Sequence, residues 1–410
     1  MWKTLHNRMP PLRGILEPHL EGILQSTSAQ AFNILGILAG SILAGSYEAF
    51  SRYPWALLVF PGLLSNRGAI GGLLSGRLST GLHLGTILPR VKENTGDARQ
   101  LFSAVITLTG LSAVLNTLGV GLFSVAGYGV GPRELYQLFL VVFSTLALSI
   151  MVVTPITFLV SIQAYNRGFD PDMLVYPITS TTADISISFI YVSILRIVSW
   201  NSPAGNAALL LVTLVFAAAA SAIHLGNRER VEYSKTLREF IGTLLVVTLI
   251  VTLTGYMLGR ISETIGNTPK VYAIYPAMID TVGDVGSIIG STATTKLSLG
   301  FLQSRFSSIR GHLNEITYAW IGSLTLFTVY ALISASAYGF GNLRSLLAVV
   351  WLTNVTVIPL ITIISFGIGI TAFKKGLDPD NFVIPFETSL ADGLTTAVLY
   401  LMIKMCFDAA

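Results

Sequence analysis

The chain has 410 residues, of which 52% are hydrophobic and only 11% charged, with a formal net charge of +4. Its mean hydropathy is +0.69, whereas a soluble chain carries about 25% charged residues. This balance excludes a soluble globular protein or a separate polar domain, and a single cysteine, Cys406, excludes an intrachain disulfide framework.

Residues 1–27 contain Lys3, Arg8, Arg13, Glu17 and Glu21 without a cleavable leader pattern, and read as an amphipathic cytoplasmic lead-in. Apolar stretches of about 20 residues, the length that crosses a bilayer as helix, then recur. Eleven helices are expected near 30–50, 54–77, 101–126, 135–166, 172–197, 205–225, 238–260, 270–296, 315–339, 345–374 and 379–404. The second and eighth are interrupted by glycine and polar residues and are expected to bend. Asp170, Pro171 and Asp172, and again Asp378, Pro379 and Asp380, mark the starts of the fifth and eleventh helices, where a carboxylate before proline caps free N–H groups. The five histidines are scattered, and no phosphate-binding glycine loop is present. Neither nucleotide hydrolysis nor nucleic-acid binding is indicated.

Of the 25 Lys and Arg residues, seven fall on one side of these spans: Arg52, Arg133, Arg196, Arg260, Lys270, Arg344 and Lys404. Arg67 falls within the membrane and the remaining 17 on the other side. The positive-inside rule therefore puts the N-terminus in the cytoplasm and the C-terminus outside, with the cell membrane as the expected location.

The chain also repeats itself. GFDPDMLVYPITSTTAD (168–184) aligns with GLDPDNFVIPFETSLAD (376–392) at an offset of 208. At an offset of 215, Glu48, Pro54, Pro61, Gly68 and Gly85 match Glu263, Pro269, Pro276, Gly283 and Gly300. Helices 1–5 thus correspond to helices 7–11, with boundaries expected at 28–200 and 229–410 and a linker helix at 201–228. Five spans invert the chain and the sixth restores it, so both repeats face the same way. The expected fold is an all-α polytopic membrane protein with two parallel five-helix repeats and a pseudo-two-fold along the membrane normal.

Each repeat carries a carboxylate at matching depth. Asp184 and Asp392 lie 12 residues beyond Asp172 and Asp380, or roughly 18 Å into the helix at 1.5 Å per residue. Asp280 and Asp284 share a face of the eighth helix at i, i+4 spacing, and Glu387 adds a further acid where the first repeat has Thr179. A charged residue in a membrane span costs about 2.5–3.5 kcal/mol on the translocon scale and is a functional-site hypothesis by default. Arg67 can neutralise one of the five, as a structural clamp or as a cationic constriction. The others point to water or bound cations, and hard oxygen ligands suit Mg²⁺, Ca²⁺ or Mn²⁺. Proton relay and substrate counter-ion are the competing uses of such acids. Thr181 and Thr388 are expected to line the same path. Glu48 and Glu263 end their helices at the outer surface, where they form a candidate vestibule or ordinary solvated helix ends. Packing accounts for the Gly68, Gly72 and Gly76 stripe, the alternative being thin helices that line the axis and expose backbone carbonyls to a hydrated path.

PGLLSNRGAIGGLLSGRLST (61–80) resembles the second-helix signature of MgtE-type magnesium transporters and their eukaryotic solute-carrier relatives, through Pro61, Arg67, Gly68, Arg77, Leu78, Ser79 and Thr80. GLDPDNFVIPFETSLADGLTT (376–396) resembles the family's fifth-helix signature, which puts the family's Mg²⁺-binding aspartate at Asp392 and, through the repeat, at Asp184. The resemblance implies a divalent cation transporter rather than an enzyme. Mg²⁺ is the expected transported ion, Mn²⁺, Co²⁺ and Ca²⁺ remain open, and no organic cofactor is implied. Bacterial members are homodimers of five-span chains, and this sequence resembles such a dimer fused into one chain. It departs from the pattern where the triplet asparagine is Ala69 in one half and Asp284 in the other. No segment resembles the family's cytoplasmic N-domain or nucleotide-sensing domains. Two rival readings follow: a Na⁺- or H⁺-coupled exchanger on the same scaffold, and an intramembrane enzyme using the aspartates as a proton-sharing pair.

Overall fold

A computed structural model describes residues 10–167, 171–266, 268–375 and 379–407. Asp170 and Asp378, expected to cap two helices, lie outside the described residues. Helix α1 (Pro10–Gln30) runs through a 3₁₀ turn, Ala31–Leu35, into α2 (Gly36–Ala44) and the short α3 (Tyr47–Ser51). The first repeat continues with α4 (Pro54–Leu84), α5 (Gly96–Tyr128), α6 (Pro132–Asn166) and α7 (Pro171–Ser199). Helix α8 (Pro203–Asn227) links to α9 (Val231–Ile265), α10 (Pro269–Ser298), a 3₁₀ segment at Phe306–His312, α11 (Leu313–Tyr338), α12 (Leu343–Lys375) and α13 (Pro379–Phe407). The protein is an all-α polytopic membrane protein.

Ten described helical segments are long and apolar enough to cross a membrane. The expected eighth span, α10, falls outside that set although it has 30 residues. Lys270, Asp280, Asp284 and Lys296 lower its apolarity. Its environment explains the tolerance, since residues 271–279 are all buried by protein and the helix is solvated by its neighbours rather than by lipid. The first span also differs from expectation. The apolar stretch runs from His19 to Ala44, so membrane-length helix begins within the region read as a lead-in, and the 3₁₀ turn interrupts it. Pro61 and Pro276 both lie inside their helices, each of which is continuous through its glycines and polar residues, from Pro54 to Leu84 and from Pro269 to Ser298.

The repeats exchange their first helices. Helix α2 packs on α10 and α1 on α11, both of the second repeat, while α9 packs on α4 and α5 of the first. Glycine permits the two crossings. A Cβ on Gly40 would stand 2.6 Å from the carbonyl carbon of Ala273, and a Cβ on Gly255 would stand 2.8 Å from that of Leu58. Gly40 and Gly255, like Leu58 and Ala273, are 215 residues apart, so one backbone-to-backbone contact is built twice. Around it pack α12 against α10 and α13, and α6 against α7 and α4. Helix α8 touches only the periphery, chiefly α5 and α6, and presents Leu211, Leu214 and Val215 outward, as a lipid-facing helix does.

Gly85 and Gly300, matched by the repeat, both adopt left-handed backbone, with φ of +72° and +76°. Each follows the end of the second helix of its repeat and turns the chain. A Cβ at either meets nothing within 4 Å, so a substitution there acts through the backbone alone. Gly300→Val is expected to cost about 1–2 kcal/mol, the penalty of left-handed backbone for a residue with a Cβ, read as a lowered thermal midpoint in detergent.

Candidate functional site: an acidic cavity on the pseudo-two-fold

Helices α4, α7, α10 and α13 surround a cavity of about 40 Å³. Asp184 and Asp392 stand 13 residues after the first residues of α7 and α13, roughly 20 Å along the axis at 1.5 Å per residue. Ser65 and Asp280 stand 11 residues into α4 and α10, which run the opposite way, or roughly 16 Å. All four therefore meet deep within the bundle.

The lining comes almost wholly in repeat-related pairs: Leu64 with Ile279, Ser65 with Asp280, Gly68 with Gly283, Ser180 with Thr388, and Asp184 with Asp392. Asn33 and Asp284 complete it without symmetry mates at the cavity. Hydrogen bonds cross between repeats in the same paired fashion. The Ser65 hydroxyl donates to Asp392 Oδ2, and the carboxyl groups of Asp280 and Asp184 bond to each other. One level away, Asn33 Nδ2 donates to Thr281 Oγ1 at 3.4 Å, and Thr248 Oγ1 donates to Asn66 Oδ1 at 3.3 Å. Asn33 and Thr248 are 215 residues apart, as are Asn66 and Thr281. A pseudo-two-fold axis passing through the cavity relates these contacts.

The electrostatics break that symmetry. Asp184 and Asp392 are 6% and 7% exposed, and burying carboxylates without compensating bonds is costly. Asp392 has the Ser65 hydroxyl, whereas Oδ2 of Asp184 has no partner among the described residues. Asp284 accepts from Asn33 Nδ2 at 2.8 Å. Arg67, itself buried, acts electrostatically on Asp184, a partner that suits a clamp and a cationic constriction alike, and its Nε has no hydrogen-bond acceptor among the described residues. The guanidinium thus acts on one of the four cavity carboxyl groups, and the other three come from the second repeat.

Among the described residues, no three His, Cys, Asp or Glu side chains gather closely enough to enclose a metal ion. The donors are instead spread around a small polar space with hydroxyl and amide groups between them. Such a donor set suits a hard cation that keeps part of its water, as Mg²⁺ does when one or two carboxylates hold it.

Several expected residues take other places. Thr388 lines the cavity, but its partner there is Ser180, and Thr181 is buried outside the lining. Glu387 is buried and does not line the cavity either; it faces Gly286 and Gly290 of α10. Glu48 and Glu263 are exposed, and Glu263 pairs with Arg260 at 2.5 Å and accepts from the Tyr128 hydroxyl at 3.3 Å. Asn33, Ser65 and Ser180 were not singled out from sequence. The signal available was their polarity inside apolar spans, together with repeat offsets that place Ser65 opposite Asp280 and Ser180 opposite Thr388.

A polytopic helical bundle with a carboxylate-lined cavity between its repeats has the donor set of a cation site inside a membrane protein. The family model of the MgtE divalent cation transporters matches residues 60–194 and again 275–402. The chain belongs to that family, in two fused copies, and is a transporter rather than an enzyme. No curated protein and no solved structure matches the chain. Membership of a transporter family sets aside the aspartic-enzyme reading.

Proposed function

We propose that this protein moves Mg²⁺ across the cell membrane through the axial cavity, with Asp184 and Asp392 as the central binding pair. Asp280 and Asp284 add charge from the second repeat, Arg67 offsets part of it, and Thr388 and Ser180 supply neutral oxygens. The observation that carries this reading is the cavity itself, lined by matched positions of both repeats and rich in carboxyl oxygen. The excess of Lys and Arg on one side supports a cytoplasmic N-terminus and an external C-terminus. With that orientation, inward movement of a divalent ion gains about 4.6 kcal/mol per 100 mV of internally negative potential. The crossed first helices support one fused chain acting as a pseudo-dimer, with repeats near 28–200 and 229–410 around the linker α8.

Mg²⁺ uptake into proteoliposomes under an imposed potential tests the assignment. Asp184→Asn and Asp392→Asn keep the side-chain shape and remove the charge, and each is expected to lower uptake at least tenfold while the protein still elutes as a monodisperse peak. Undiminished uptake in both variants would remove the central pair from the pathway. Competition by Ca²⁺, Mn²⁺ and Co²⁺ in the same assay ranks the ions.

A further inference from the structure

Helix α8 ends at Asn227 and α9 begins at Val231, and beside the turn between them lies a surface groove of about 530 Å³. Four cations line it: Arg228, Arg230, Lys235 and Arg238. All four are exposed, and none makes an ion pair among the described residues. Glu239 also lines the groove but is bound to Arg77 of α4 at 2.7 Å. Glu229 lines it too, and Glu232 stands exposed in the first turn of α9. Set against these two acids, the four cations leave two positive charges uncompensated.

The backbone that presents these cations is held from several sides. Ser234 Oγ donates to the Arg228 carbonyl at 2.5 Å, and the Arg230 N–H donates to the Asn227 carbonyl at 2.9 Å. His224 Nδ1 of α8 meets the Tyr233 hydroxyl of α9 at 3.0 Å, and that hydroxyl donates to Thr107 Oγ1 of α5 at 2.9 Å. Three helices therefore fix the turn. Arg230, the residue before α9, offers no side-chain acceptor to the helix N-terminus, whose free N–H groups add to the attraction for an anion.

Depth puts the groove among lipid headgroups. Helix α8 has 25 residues, roughly 37 Å at 1.5 Å per residue, which crosses a hydrocarbon core of about 30 Å and ends just beyond it. Leu225 and Val231, on either side of the turn, are 62% and 76% exposed and offer apolar contact to acyl chains beside a charged groove. The sidedness of Lys and Arg in membrane proteins does not by itself ask for this cluster. At the repeat offset of 215, Arg230, Lys235 and Arg238 correspond to Ile15, Leu20 and Ile23. The matching end of the first repeat does without the three charges, and Leu20 is exposed there.

We propose that this groove binds the phosphate headgroup of an anionic phospholipid. Each Lys or Arg near an anionic membrane surface strengthens association about fivefold. The guanidinium groups can hold phosphate oxygens in pairs, Lys235 adds a compact point charge, and Leu225 and Val231 lie along the chains. With the N-terminus in the cytoplasm, as proposed above, the groove opens on the leaflet with the negative surface potential. The site is also joined to the transport bundle. Arg77 donates to Thr236 at 2.8 Å as well as to Glu239, which ties the same end of α9 to the cavity-lining α4.

The test is native mass spectrometry of the full chain, released from detergent micelles that hold equal amounts of phosphatidylglycerol and phosphatidylcholine with the same acyl chains. Wild type is expected to retain phosphatidylglycerol about tenfold over phosphatidylcholine, and its thermal midpoint should rise as phosphatidylglycerol is added. A groove variant combining Arg228→Gln, Arg230→Gln, Lys235→Gln and Arg238→Gln should lose both effects. Should that protein not fold, the milder pair Arg230→Gln and Lys235→Gln should lower the preference several-fold. A matched variant, with Arg305→Gln, Arg310→Gln, Lys374→Gln and Lys375→Gln, removes four exposed charges from the same side and should keep both effects. Equal retention of the two lipids by wild type, or an undiminished preference in the groove variants, would overturn the proposal. So would an equal loss in the matched variant, because diffuse surface charge would then account for the binding. Soluble glycerol phosphate should displace the lipid only in large excess; if it binds as tightly as the lipid, the groove takes a free phosphate ester instead. Micelles bring lipid to the groove in either orientation of the chain, so the result depends neither on which end is cytoplasmic nor on the path of the ion.

Discussion

Placing a single methyl group at Gly255 or Gly40 is expected to destabilise this protein about as much as truncating a core side chain would. At Gly255 the new Cβ falls on the Leu58 carbonyl, with the carbonyl carbon at 2.8 Å and the Cα at 3.1 Å. At Gly40 the corresponding atoms are the Ala273 carbonyl carbon at 2.6 Å and the Tyr272 carbonyl oxygen at 2.7 Å. These atoms are helical backbone and cannot rotate away as a side chain would, so the helices must separate. Overpacking a well-filled interior costs about 1–3 kcal/mol, and rigid backbone on both sides puts these sites at the upper end. Gly242 supplies the control, because it lies on the same helix as Gly255 and a Cβ there meets nothing within 4 Å. Gly242→Ala should be neutral or stabilising, since alanine is the better helix former by about 1 kcal/mol. Thermal midpoints of the three variants in detergent decide the matter. A Gly255→Ala protein as stable as Gly242→Ala would mean that the crossed packing of α9 on α4 does not hold.

Much of this architecture is legible in the chain because a duplication leaves two readings of every position. The offsets of 208 and 215 identify the helices that correspond, and the parity of the spans requires parallel repeats. They also place Asp184 opposite Asp392 before any coordinate is known. The exchange of first helices is not legible in the same way. Gly40 and Gly255 sit at the same offset, but a glycine in an apolar helix is consistent with any close neighbour, and nothing in the spacing says that the neighbour belongs to the other repeat. Apolarity misleads at α10, where protein rather than lipid surrounds a helix bearing two aspartates. The neutral polar lining is less legible for a related reason. Attention to carboxylates passes over Ser65 and Asn33, which become informative only when the fold brings them to Asp392 and Asp284. Glu387 and Asp392 share a helix, and a separation of five residues is enough to turn one toward Gly286 and Gly290 of α10 and leave the other at the cavity.

The second large effect concerns Asp280, the residue that breaks the symmetry of the central pair. Its counterpart, Ser65, donates a hydrogen bond to Asp392, while Asp280 sets a second carboxyl group against Asp184. Asp280→Ser would give both central aspartates the same hydroxyl neighbour. Two consequences of opposite sign follow from the same electrostatics. Without divalent ion, removing one of two adjoining buried carboxyl groups relieves repulsion and desolvation, so the variant should unfold at a higher temperature than wild type. With divalent ion, the attraction of that carboxylate is lost. Unit charges 4 Å apart interact by about 4 kcal/mol at an effective dielectric of 20, so even a partial loss should weaken Mg²⁺ binding by at least about tenfold. Because a ligand stabilises the folded state by RT ln(1 + [L]/Kd), Mg²⁺ should raise the thermal midpoint of wild type more than that of Asp280→Ser, and the two melting curves should approach or cross as Mg²⁺ is added. A variant that is less stable without Mg²⁺, yet gains as much from Mg²⁺ as wild type, would make Asp280 a structural partner of Asp184 and remove it from the ion's path.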